Sequence, residues 1–116
     1  MANPVVYFEV LGKDATKLKA FYGGAFGWQL QDVMEGSYYM ASPDDAGIGG
    51  GIGASPEGGS GHVIFYVQVD DTGAALEKIK SLGGSTVSEP MDVPGGPTIA
   101  HFADPEGHVI GLVKGP

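Results

Sequence analysis

The stretch HVIFYVQVDDTGAALEKIKSLGG, residues 62–84, joins a strand pattern directly to a helix pattern. In its first eight residues the side chains alternate between two faces, the period of a β-strand. Asp71 then stands before a helix in which Ala75, Ile79 and Leu82 recur on one inner face, ahead of Gly84. The same order occurs earlier in the chain. VVYFEV, residues 5–10, reads as a strand, and DATKLKAFYGGAF, residues 14–26, reads as a helix with Asp14 as its N-cap. Ala15, Leu18, Tyr22 and Ala25 lie on its inner face. Gly23 and Gly24 are poor helix formers, so the last turn is expected to be loose or kinked.

The two copies are in numerical register. Asp14 and Asp71 are 57 residues apart (71 − 14), and so are Gly27 and Gly84 (84 − 27). Short strands are expected near WQLQDV, SYYMA and GIGGGI in the first copy, and near STVSEPM, PTIAHFA and HVIGLV in the second. Late in each copy, SPDDAGIGG aligns with DPEGHVIGL, which pairs Gly49 with Gly111. Between the copies, GASPEGGSG reads as a linker, and the glycine run before it as an edge strand. A strand–helix–three-strand unit cannot bury its sheet face alone, so two of them are expected to combine. The chain is therefore expected to be one α+β domain over residues 1–116: module one about 1–53, linker about 54–61, module two about 62–116. Each module is βαβββ, with the helices outside a cupped sheet.

Composition narrows the function. The 14 acidic residues against 6 basic ones give a net charge of −8, which opposes a nucleic-acid partner. There is no cysteine, so disulfides, thiolate metal sites and thiol nucleophiles are excluded. MANPVVYFEV lacks the basic start and apolar run of a signal peptide, and no apolar run reaches the length of a membrane span. A cytoplasmic protein with no membrane partner is expected. The glycine-rich GIGGGIGASPEGG lacks the lysine and the strand-to-helix setting of a phosphate loop, and no GxSxG is present.

The elements LKAFYGGAFGW, VDDTGAALEKIKSLGG and DPEGHVIGLV, in this order and over nearly the whole chain, resemble the vicinal oxygen chelate superfamily. That superfamily includes glyoxalase I, extradiol dioxygenases, fosfomycin-modifying enzymes and bleomycin-sequestering proteins. The resemblance implies paired βαβββ modules forming a U-shaped mixed sheet around a ligand cavity, commonly in a homodimer. It also implies four His or Glu ligands around one divalent metal, from the first and last strand of each module. Carried onto this chain, the last-strand positions fall at or near Gly49 and Gly111, which have no side chain to offer. The first-strand candidates are Val5 or Tyr7 in one module and His62 or Ile64 in the other. Of these only His62 is a usual ligand, and a catalytic metal needs about three. No metal or other cofactor is predicted. The alternative is a displaced site built from His62, His101 or His108 with an acid such as Glu9.

Strand alternation proposes a different site. Tyr7 and Glu9 share one face of the first strand; His62, Ile64, Tyr66 and Gln68 share one face of its counterpart. The opposite faces, Val6, Phe8 and Val10 and then Val63, Phe65, Val67 and Val69, are more apolar and are expected under the helices. With His101 added, the mixed set describes a small-molecule pocket of polar groups among apolar walls; the competing reading is simply a solvated sheet face. Glu9 is the candidate general base, because a carboxylate in a partly apolar cup is tuned for that work. His108 is expected to be exposed beside the DPEG turn, and Trp28 to pack between helix and sheet. The leading expectation is a metal-free binder of a small organic ligand. The alternatives are a lyase or dioxygenase-type enzyme with a displaced metal or with acid–base groups drawn from Glu9, Tyr7 and His62, and a purely structural module.

Overall fold

A computed structural model describes residues 2–56 and 59–115. Among the described residues, eight strands and three helices follow in order: β1 (Val5–Gly12), α1 (Ala15–Phe26), β2 (Leu30–Asp32), β3 (Tyr38–Ala41), α2 (Pro43–Ala46), β4 (Gly49–Ala54), β5 (His62–Val69), α3 (Thr72–Ser81), β6 (Ser85–Asp92), β7 (Thr98–Ala103) and β8 (Val109–Lys114). The chain is α+β and repeats βαβββ, with one extra helical turn, α2, in the first copy. SPDDA forms that turn because Ser42 caps it, accepting from Asp44 N–H, and Pro43 suits the first helical position. The matching DPEG is a turn instead. The Asp104 carboxylate accepts from the N–H groups of Glu106 and His108, and Gly107 takes φ 91°.

The contacts divide the chain into two compact units, Tyr7–Ile64 and the remainder on either side of it. Within Tyr7–Ile64 the strand order is β2-β3-β4-β1. β4 runs parallel to β1 and antiparallel to β3, so the glycine run is an interior strand with a partner on each side. The expected edge strand is corrected. Glycine has little strand preference of its own, and both flanking ladders hold it in place. Of the expected linker, Glu57 and Gly58 lie outside the described residues; Gly53 and Ala54 belong to β4.

Asp14 caps α1 by accepting from Lys17 N–H at 3.0 Å, as expected. The helix continues through Gly23 and Gly24 to Phe26 and closes on Gly27, whose φ of 73° lets its N–H reach Gly23 O at 2.9 Å. The expected loose turn does not occur. Ala25, placed on the inner face by its spacing, is exposed. Beneath α1, Phe8 lies against Trp28 with ring centroids 5.4 Å apart, and Ile52 is fully buried.

The other unit has the order β5-β8-β7-β6. Asp71 caps α3 by accepting from Ala74 N–H at 3.0 Å. The core joins Val69, Leu76, Ala100 and Leu112, with Val67, Ala75, Ile79 and Phe102 packed against it. Leu76 is the central helix residue, and Leu82 lies past the last turn and is 70% exposed. Along β5 the expected apolar face holds only at its end. Val67 and Val69 pack under α3, but Val63 is 76% and Phe65 41% exposed, because α3 covers only the C-terminal end of that face.

Candidate functional site

Three glycines, Gly49, Gly51 and Gly53, alternate along β4 and so share one face of that strand. Their register partners on β1 are Tyr7, Glu9 and Leu11. Tyr38, on β3, is opposite Gly53. With no Cβ in the row, the Tyr7 and Tyr38 rings lie over β4 from opposite sides. A Cβ on Gly51 would collide with the Tyr38 hydroxyl and sit 2.6 Å from that of Tyr7. The two hydroxyls meet there, 2.8 Å apart. Glycine at residue 51 is thus a steric requirement of the tyrosine pair.

From this point a hydrogen-bonded chain runs to a carboxylate. Tyr38 Oη donates to Glu9 Oε2 at 2.8 Å, and Glu9 Oε1 is 2.8 Å from His62 Nε2. The directions follow from the inventory of protons. Tyr38 has one hydrogen and gives it to Glu9, so the Tyr7 hydroxyl is the donor to Tyr38. Glu9 Oε1 and His62 Nε2 share the last bond of the chain. The Glu9 side chain is 14% exposed and that of His62 32%. Burial raises the Tyr38 phenol far above the usual tyrosine range, and its bond with Tyr7 and the charge of Glu9 act in the same direction. Burial likewise raises Tyr7. Both phenols stay protonated and serve as donors.

In the other unit, Tyr66 Oη is 3.0 Å from His101 Nε2, and the two rings meet edge to face. Tyr66 lies across Gly111, its register partner, where a Cβ would collide with the ring. Ile64 and Tyr66 are buried. The Gln68 side chain runs alongside Gly115. His108 is exposed and pairs its Nδ1 with the Asp104 carboxylate at 3.0 Å. Trp28 packs between α1 and the sheet, against Phe8, Tyr22 and Phe26.

Register also revises which glycines correspond. Glu9 and Tyr66 are 57 residues apart, the offset of the two caps, and their partners are Gly51 and Gly111. Gly51, rather than Gly49, is therefore the counterpart of Gly111. Tyr38 is the member that the sequence reading missed. The available signal was a run of glycines near a tyrosine-bearing strand, a setting in which neighbouring aromatics can cover bare backbone.

The donor set was compared with the four-ligand pattern of His and Glu that the resemblance implies. Among the described residues no three His, Cys, Asp or Glu side chains gather as a metal site. Glu9 and His62 are bonded to each other, the neighbouring phenols are protonated, and tyrosine rings fill the space over Gly51 and Gly111.

Comparison with known proteins agrees with the architecture. The model of the Glyoxalase/Bleomycin resistance protein/Dioxygenase superfamily matches residues 5–112. A "Glyoxylase-like domain-containing protein" of Didymella fabae is 27% identical over 119 residues, covering 93% of this chain and 91% of its own length. The "Anthracycline biosynthesis protein DnrV" of Streptomyces peucetius is 28% identical over 118 residues, covering 87% of this chain; the match spans 43% of that longer protein. Among solved structures, hypothetical protein BH1468 from Bacillus halodurans C-125 superposes with a TM-score of 0.71 at 14% identity, covering 100% of this chain and 96% of that one.

Proposed function

Because the chain belongs to the Glyoxalase/Bleomycin resistance protein/Dioxygenase superfamily, we propose that it binds a small organic molecule at the Tyr7–Tyr38–Glu9–His62 cluster without a resident divalent metal. The observation that carries this reading is the hydrogen-bonded chain itself. It places two protonated phenols, a carboxylate and an imidazole on one sheet face, over a strand that contributes no side chain there. Such a group offers fixed donors and one negative charge to a ligand's polar atoms, the usual means by which a mostly apolar pocket fixes orientation. The relative from anthracycline biosynthesis is consistent with a small organic ligand.

A second reading rests on the Glu9–His62 contact at 2.8 Å. A proton can pass between these two groups, so the same cluster can act as a metal-free acid–base catalyst with Glu9 as the base. In both readings the protein is one domain, cytoplasmic and homodimeric. The exposed apolar side chains of Val63 and Phe65 support a self-association surface.

The test begins with elemental mass spectrometry on gently purified, tag-free protein, followed by thermal melts with added Ni²⁺, Zn²⁺, Mn²⁺ and Fe²⁺. The expected result is no stoichiometric metal and no specific stabilisation; a stoichiometric metal would overturn the proposal. A screen of aromatic and cationic small molecules by thermal shift follows. Hits are expected to lose their effect in Glu9→Gln, and hits indifferent to that change would place the ligand elsewhere. Sedimentation measures the dimer.

A further inference from the structure

Lys17, Ala20, Phe21 and Gly24 recur at helical spacing on the outward face of α1, and all four are exposed. Phe21 is 63% exposed, with its ring set edge to face on Tyr22 at 5.1 Å. Its neighbours on this face, Ala20 and Gly24, are small, and a Cβ at Gly24 would meet nothing within 4 Å. A single exposed phenylalanine is ordinary. The charges set around this one are not.

Apart from the cap Asp14, the start of α1 is basic, with Lys13 just before it and Lys17 in its first turn. The other end is acidic. Asp45 of α2 accepts from Gln29 N–H at 3.0 Å, which holds Asp44 and Asp45 near the C-terminal end of α1. A helix dipole favours the reverse, acids at the N-terminus and bases at the C-terminus. α1 itself has no acid in its first turn and no base in its last. Among the described residues Lys13, Lys17, Asp44 and Asp45 form no ion pair, so neither end is neutralised within the chain. The two ends are complementary to each other, and an antiparallel copy of the same helix brings each onto its opposite.

We propose that the outward face of α1 is a self-association surface, on which a second copy of this chain docks its own α1 antiparallel about a two-fold axis near Phe21. The contact is isologous, so each charge pairing occurs twice. The two Phe21 rings meet at the centre, where Ala20 and Gly24 let the helices approach closely. Lys13 and Lys17 of each copy face Asp44 and Asp45 of the other. One helix face is a small interface with a charged rim, so the pairing is weak and salt-sensitive. It uses no residue of the cluster around Glu9, and neither Val63 nor Phe65.

The experiment exploits the absence of cysteine from the full chain. Ala20→Cys places one thiol beside the axis, next to that of its copy, and Ser81→Cys places one on α3 as a control. Under mild oxidation with copper phenanthroline, Ala20→Cys should form disulfide-linked dimers about tenfold faster than the control, because docking raises the effective concentration of the thiols. Adding Phe21→Glu should remove that excess while the thermal melt stays native, and adding Val63→Asp should leave it unchanged. Sedimentation then reads the charges. Chains carrying Lys13→Glu with Lys17→Glu, or Asp44→Lys, should each self-associate less than the unaltered chain. A mixture of the two should associate more than either alone, since each altered end then avoids its like charge. Linkage at residue 20 no faster than at residue 81, an excess that survives Phe21→Glu or is lost with Val63→Asp, or a mixture no better than its components would each overturn the proposal.

Discussion

Tyr38 and Glu9 are joined by a 2.8 Å hydrogen bond although a whole strand separates them: Tyr38 is on β3, Glu9 on β1, and β4 runs between. A contact across an intervening strand requires that strand to present no side chain at the crossing, and Gly51 meets this condition.

Removing the Tyr38 hydroxyl takes away the donor to Glu9 and the acceptor of Tyr7 together. Tyr38→Phe is expected to destabilise the chain by about 1–3 kcal/mol, the penalty for leaving a buried polar group without its partner. In a double-mutant cycle with Glu9→Gln, the coupling should exceed about 0.5 kcal/mol. Urea unfolding of the four proteins measures both, and additive effects would mean that the bond contributes nothing.

Alanine at either covered glycine should be destabilising. Gly51→Ala must displace the hydroxyls of Tyr7 and Tyr38, and Gly111→Ala must displace the Tyr66 ring. Overpacking of this kind destabilises by about 1–3 kcal/mol. Combining Gly51→Ala with Tyr38→Phe should recover only a small part of the loss, because the Tyr38 hydroxyl is gone but the ring carbon Cζ still collides with the new Cβ and the Tyr7 hydroxyl stays close. The midpoints of urea unfolding decide it.

Alkaline pH should weaken the fold through the two phenols. Tyr7 and Tyr38 are raised in the folded chain above the ordinary value of 10.0. Above that pH the unfolded chain releases protons that the folded chain retains, so stability is complete below 10.0 and falls as pH rises beyond it. Urea midpoints measured on either side of that value should show the decline. Tyr38→Phe should make it shallower.

The two helix caps should contribute alike. Asp14→Ala and Asp71→Ala each remove a carboxylate that accepts from the N–H three residues on. Each loss should destabilise by about 0.5–2 kcal/mol, and Asp→Asn at the same positions should retain most of the stability. Thermal melts compare them.

Those caps also explain why the architecture was legible in the sequence. A cap is a local rule: an aspartate immediately before an apolar period marks a helix start whatever the rest of the chain does. Two such marks at one offset reveal a repeat. The pairing of Tyr7 with Glu9 also follows a local rule, since alternation alone puts them on one face. What alternation could not give was the identity of the strand next door. β4 consists mostly of glycine and carries no periodic signal, so its interior place was read as an edge. Without it, Tyr38 had no visible reason to reach Glu9, and Tyr39, buried at 7%, was an equal candidate from the sequence. The exposure of Val63 and Phe65 was hidden for a related reason. Their residue types suggest burial, but the reach of α3 decides it, and that reach is a tertiary property.

The bare face of β4 also has a consequence for how this protein can change. A strand without side chains on one face does not determine what that face recognises. In the proposed binding role, recognition there is decided by its neighbours, chiefly at Tyr7 and Tyr38. Exchanging those two aromatics for others of similar reach would give the face a new chemistry while the backbone beneath stays the same, so selectivity there can drift by single steps without remaking the sheet.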